Sequence, residues 1–264
     1  MRAFYQAQPE HLRNEVFRRI LAQYDVIVAN PDCDFEVLHE IAPQATILAY
    51  ACAHWIPTYG SSMYYAGLRA LAENGNWHLR TPGGELIEAP SNAQGGKHPG
   101  LELLPSLDVA EGYAEGLRDL LASQTTVGRA TRAGVYVDEC QGERPAWWLQ
   151  AMGMDHAHMR GTIIARYRRY TEHLLLHLRR RLAPGTPIVA NTSHAGPQWK
   201  SLPVEVLREL DGICIEHPTI ADLPYFLQAA DWQQENGHGG IGIAWYGTLQ
   251  HAGVVMPGEV FIDD

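Results

Sequence analysis

The chain has 264 residues, 46% hydrophobic and 19% charged, with a formal net charge of −10. That length supports a full-sized hydrophobic core, and the composition excludes a mainly disordered chain. The acidic balance argues against broad binding to nucleic-acid backbones, which needs clustered cations, and no apolar run approaches the roughly 18 residues that span a bilayer.

In chain order, RAFYQ (2–6) reads as a first strand and 9–24 as a helix that opens on Pro9 and carries Leu12, Val16, Ile20 and Tyr24 on one face. The N-terminal stretch has no secretory hydrophobic region. DVIVAN (25–30) and TILAYA (46–51) follow as strands, and LELL (101–104), just before Asp108, as a fourth. Residues 57–100 are rich in Gly, Pro, Ser and Asn and read as one elaborated loop, a lid or subsite wall. A helical pattern over 110–122 leads to GVYVDE (134–139). The long pattern 158–182 interleaves its arginines with Ile163, Ile164, Tyr167, Tyr170, Leu174, Leu175 and Leu178, which predicts an amphipathic helix with a solvated basic face. PIVAN (187–191), GICIEH (212–217) and GIGIAWY (240–246) complete the strands, separated by short helical patterns at 203–210 and 221–232.

Most of these strand runs are continuously apolar, as strands buried on both faces are. Their alternation with helices implies right-handed βαβ units and an α/β fold. Eight candidate strands in a chain of this size favour one (β/α)₈ TIM-like barrel over residues 1–264, incomplete at its last helix because no helical pattern follows Tyr246. FYQAQPE contains no glycine, which weakens a dinucleotide-binding alternative. The four cysteines, Cys33, Cys52, Cys140 and Cys214, are dispersed near the ends of apolar runs and read as free, buried thiols.

A barrel gathers the C-terminal ends of its strands on one face, where active sites are built. Here those ends carry Asn30 and Asp32, Tyr50 with His54 and Trp55, Asp108, Asp138 and Glu139, Asn191 with His194, Glu216 and His217, and Trp245 with Tyr246. Sugars offer C–H faces to aromatic rings and hydroxyls to Asp, Asn and His, so this mixture suits a carbohydrate. Glycosidic cleavage requires two carboxyl groups, and Asp138 and Glu216 can face each other across the mouth about 5–10 Å apart. Trp55 and at least one of Trp147, Trp148 and Trp245 are the expected stacking platforms, with core burial the alternative for each. Either acid can instead serve as a helix cap or an ion-pair partner.

The series YDVIVAN, ILAYACAHW, WHLRTPGGELI, SLDVAEGYAEGL, GVYVDE, IVANTS and LDGICIEH resembles the glycoside hydrolase TIM-barrel families related to the endo-α-1,4-polygalactosaminidases. The likeness covers roughly residues 24–246. It implies that Asp138 is the nucleophile, that Glu216 is the general acid/base, and that Asp108 occupies a recurrent position after a leucine. It also suggests an extracellular protein; no cofactor and no metal are expected. VDE stands where the family more usually has paired aspartates, and Ala133 where an aspartate precedes the glycine.

The resulting expectation is a glycoside hydrolase that cleaves a polysaccharide, with Tyr50, Trp55, Asp108, Glu139, Asn191, His217, Trp245 and Tyr246 contacting substrate. A carbohydrate-binding or structural barrel without turnover is the first alternative. A metal-dependent hydrolase is the second, since DHAH (155–158) has an H-x-H pattern; no apolar strand precedes it, and Asp155 reads as the cap of the following helix. There is no G-x-S-x-G elbow around Ser193.

Overall fold

The computed structural model describes residues 2–58, 63–90, 97–125, 133–140, 157–193, 201–215, 223–236, 243–244 and 259–261. Among them the strands are β1 (Arg2–Ala7), β2 (Val26–Ala29), β3 (Thr46–Cys52), β4 (Trp55–Pro57), β5 (Glu88–Pro90), β6 (Lys97–Glu102), β7 (Ala133–Asp138), β8 (Ile188–Ser193), β9 (Gly212–Ile215), β10 (Ile243–Ala244) and β11 (Glu259–Phe261). The helices are α1 (Pro9–Arg13), α2 (Glu15–Leu21), α3 (Phe35–Ile41), α4 (Met63–Asn74), α5 (Leu107–Thr125), α6 (Ala157–Arg181), α7 (Val204–Leu207) and α8 (Leu223–Asn236). None of the described helices is long and apolar enough to cross a membrane.

The main sheet has the order β10-β9-β8-β7-β3-β2-β1-β11. From β1 to β10 every pairing is parallel, and each new strand is laid on the same side of the one before it. A doubly wound sheet reverses its strand order at a switch point; this one never does. Right-handed crossovers that all advance one way put the helices on a single face, and the other face curls in on itself. β11 joins antiparallel to β1 and lies against β10 at the far edge. The result is an α/β fold in the form of an incomplete TIM barrel.

Two apolar clusters show which side chains point where. Phe4, Ile27, Ile47, Ala49, Val135, Val137, Ile188 and Ile213 pack outward into the large core with Leu38, Leu117, Leu174 and Leu178 of the helices. Their neighbours Ala3, Val26, Val28, Leu48, Tyr136, Val189 and Cys214 form a separate inner cluster, with Tyr50 packed against it. Burial on both faces is why these strands read as unbroken apolar runs. The inner wall is tight at Gly134, where a Cβ would sit 2.4 Å from the Pro187 carbonyl oxygen and 2.9 Å from Leu48 Cδ2. Gly134→Ala is therefore expected to cost about 2–3 kcal/mol and to lower the unfolding midpoint by roughly 5 °C, as read by thermal denaturation.

The helical stripes fall where the periodicity puts them. Val109, Tyr113, Leu117 and Leu121 of α5 and Tyr167, Tyr170, Leu174 and Leu178 of α6 are buried, and Arg166, Arg168, Arg169, Arg180 and Arg181 are exposed. The single helix expected over 9–24 is two. Asn14 ends α1 with an extended backbone, and its side-chain oxygen takes the N–H groups of Val16 and Phe17 as the N-cap of α2. Asp34 caps α3 in the same way, through Glu36 and Val37.

Two further expectations are corrected. The 57–100 region is not one loop: it contributes α4 and most of a three-stranded antiparallel sheet of order β4-β6-β5. Leu101 and Glu102 belong to that sheet, paired with Ile56 and Trp55, so LELL is not a barrel strand. The small sheet is held by its own core of Cys52, Trp55, Leu79, Ile87 and Ala89 against Ile163 and Tyr167 of α6.

Candidate active site

β3, β7 and β8 lie side by side, with Tyr50 opposite Tyr136, Cys52 opposite Asp138, and Val137 opposite Ala190. Alternation along β7 puts Asp138 on the same face as Tyr136, which is the inner face, at the strand's C-terminal end. Three donors converge on its carboxylate. Tyr50 Oη donates to Oδ2 at 2.7 Å, Asn191 Nδ2 to Oδ1 at 2.8 Å, and the Glu139 backbone N–H to Oδ1 at 2.8 Å. That arrangement suits a carboxylate, which accepts at both oxygens. Asp138 and Asn191 are buried, and Tyr50, half-buried, stacks on Tyr136 with ring centroids 6.0 Å apart. A tyrosine, an aspartate and an asparagine from three adjacent strands thus form one fixed constellation above the inner apolar cluster.

The chain turns immediately above it. Glu139 has φ +56°, a left-handed conformation uncommon for a residue with a side chain, and its carboxylate oxygen Oε2 lies 3.4 Å from Cys52 Sγ. Of the two consecutive acids, Asp138 therefore meets Tyr50 and Asn191, while Glu139 reaches toward the end of β3. The backbone around them is stitched. Cys140 N–H donates to the Asn191 carbonyl and Ala53 N–H to the Asp138 carbonyl. The hydroxyls of Tyr113 and Tyr170 hold the carbonyls of Cys52 and Ala53, each at 2.8 Å.

The other expected rim residues divide. Asn30 is committed to its own turn, accepting from Asp32 N–H and donating to Gln8 Oε1 at 3.1 Å. Gln8, just past β1, is a polar rim residue that sequence reading passed over, since it lies in no motif. His54 is buried 3.2 Å from Thr171 Oγ1, between Tyr167 and Tyr170. Trp55 is in the small-sheet core at 5% exposure, and its ring lies against Gly100, so it offers no open face for stacking. Asp108 does not end a barrel strand: it is exposed in the first turn of α5. Trp147, Trp148, His194, Glu216, His217, Trp245 and Tyr246 lie outside the described residues, as do Asp155 and His156.

All four cysteines are free and buried. Burial, with the Asp32 and Glu10 carboxylates adding to it, pushes the Cys33 thiol up to about 12. At neutral pH it is therefore protonated and inert as a nucleophile. Near β2 the rim offers the Asn30–Gln8 hydrogen bond, and the Asp138 carboxylate lies at the end of β7.

No family model and no curated protein sequence matches the chain. Among solved structures, Ega3 of Aspergillus fumigatus in complex with galactosamine is 11% identical with a TM-score of 0.46, over 92% of this chain and 75% of that one. The intracellular xylanase TsXylA of Thermoanaerobacterium saccharolyticum, in complex with xylotriose, is 12% identical with a TM-score of 0.44, over 88% and 70%. The old yellow enzyme homologue of Zymomonas mobilis is 10% identical with a TM-score of 0.39, over 81% and 68%. These are likenesses of chain path at low identity, and the chemistry rests on the residues themselves.

Proposed function

We propose that this chain is a glycoside hydrolase that cleaves a polysaccharide with two carboxyl groups, Asp138 as nucleophile and Glu216 as general acid/base. The observation that carries the reading is the Asp138 carboxylate, held by Tyr50, Asn191 and the Glu139 N–H at the end of an inner barrel strand. Barrel enzymes place their reacting groups at such strand ends. Three neutral donors fix the carboxylate's orientation. In the proposed reaction Asp138 attacks the anomeric carbon as Glu216 protonates the departing oxygen. Glu216 then takes a proton from the water that releases the sugar. Glu216 lies outside the described residues, and the support for its role is in the sequence: an acid that follows the apolar run GICI in a block resembling that of the polygalactosaminidase-related families.

A galactosamine-containing polysaccharide is the first substrate to try, because of the sequence resemblance. The test is hydrolysis of a polysaccharide panel, followed by reducing-end release. Tyr50→Phe removes one donor from the nucleophile and keeps the ring stack, so turnover is expected to fall about 10–100-fold with little change in KM. A Tyr50→Phe protein as active as wild type on a cleaved substrate removes the Tyr50 hydroxyl from the reaction.

The second reading, a carbohydrate-binding barrel without turnover, is favoured by the same burial: a carboxylate with three donors also ties β3, β7 and β8 together. Saturable binding of a polysaccharide that is never cleaved would establish it.

A further inference from the structure

On the outer side of the contact between α5 and α6, carboxylates face imidazoles. Glu111 and Glu115 stand one turn apart on α5, and His173 and His177 one turn apart on α6. His173 Nε2 is 2.7 Å from Glu111 Oε1, and His177 Nε2 is 3.3 Å from Glu115 Oε1. One ring nitrogen of each histidine and one carboxylate oxygen of Glu111 all lie within 4.8 Å of one another. Zinc-class ions bind imidazole nitrogen and carboxylate oxygen at about 2.0–2.2 Å, which places tetrahedral ligand atoms roughly 3.4 Å apart, inside this spread.

We propose that Glu111, His173 and His177 form a site for a divalent transition ion of the zinc class that clamps α5 to α6. Two nitrogen donors out of three favour zinc over magnesium or calcium, which prefer all-oxygen shells. His173 Nε2 and Glu111 Oε1 already face each other, and Arg181 Nε lies 3.2 Å from His177 Nε2. The ion takes the place of the His173 proton that bridges to Glu111. It also displaces Arg181 from His177, and Arg181 keeps Glu115 Oε1 as its partner at 2.6 Å. Arg181 is thus a built-in competitor. Without an ion, the same groups form two histidine–carboxylate contacts of the ordinary kind.

The test is thermal unfolding of the chelator-treated full chain titrated with zinc chloride. A wild-type midpoint about 5 °C higher is expected at 100-fold excess over Kd, with no shift from magnesium. His173→Gln combined with His177→Gln is expected to abolish the shift. Glu111→Gln, at an exposed position that the fold tolerates, is expected to reduce it by half or more. Arg181→Gln is expected to lower the zinc concentration at half-effect several-fold. No wild-type shift up to about 1 mM zinc overturns the proposal. So does a shift that persists in the histidine double variant, which would place the ion on other histidines.

Discussion

Asp138→Asn is expected to lower hydrolysis on the order of 10⁴-fold while moving the unfolding midpoint by no more than about 2 °C. The reason is in the hydrogen bonds. Asparagine can keep its oxygen where Oδ1 accepts from Asn191 and the Glu139 N–H, and present its amide to Tyr50, whose hydroxyl rotates to accept. Both donors at Oδ1 stay satisfied, and the nucleophile is lost. Rate and unfolding are to be measured on the same preparations, with Glu216→Gln alongside. An Asp138→Asn protein that unfolds many degrees early identifies Asp138 as a structural tie. One that still cleaves at the wild-type rate ends the nucleophile assignment.

Asp211→Ala is expected to destabilise the protein by about 3–5 kcal/mol, a drop of roughly 10 °C in midpoint, with the specific activity of the folded fraction unchanged. Asp211 is buried just before β9, ion-paired to Arg179 near the end of α6, and accepts the Ile188 N–H at 2.8 Å. Arg179 also donates to the carbonyls of Glu209 at 2.8 Å and Thr186 at 3.0 Å. One guanidinium therefore joins α6 to the segments entering β8 and β9. The two side chains are only 17% and 11% exposed, so solvent screens the pair weakly. Removing the carboxylate leaves a mostly buried cation short of its counter-charge and the Ile188 N–H without its acceptor. Asp211→Asn, which can still accept from Ile188, is expected to lose about half as much. Equal losses in the two variants would show that the charge carries the whole effect and the Ile188 acceptor none of it, whereas an Asp211→Asn protein as stable as wild type would show that the charge contributes nothing; chemical denaturation at neutral pH separates the cases.

The parallel strands could be read from local sequence because burial on both faces writes itself into each run: VIVA of β2 is buried throughout, and β3 and β7 nearly so. The stripes of α5 and α6 were equally local, since a helix shows its buried face every three or four residues. Asn14 and Asp34 needed only their own next three residues to set a helix start, a signal present in the sequence but weaker than the apolar period that obscured it. Asp138 could be singled out because an acid ending an apolar run is locally conspicuous.

Tyr50 and Asn191 were legible as rim residues, but not as the partners of Asp138. Tyr50 lies 88 residues before it and Asn191 53 after, and the parallel register of three strands brings them together. The same limit hid the small sheet. Its strands are short, Pro57, Pro90 and Gly100 interrupt the usual strand composition, and each becomes a strand only through a remote partner, as Ile56 does with Leu101. Once that pairing forms, LELL leaves the barrel, Asp108 moves from a strand end to a helix, and Trp55 is drawn under α6. Composition could supply the aromatic and the acids, but which surfaces were left exposed depended on contacts between segments far apart in the chain, and those no local period encodes.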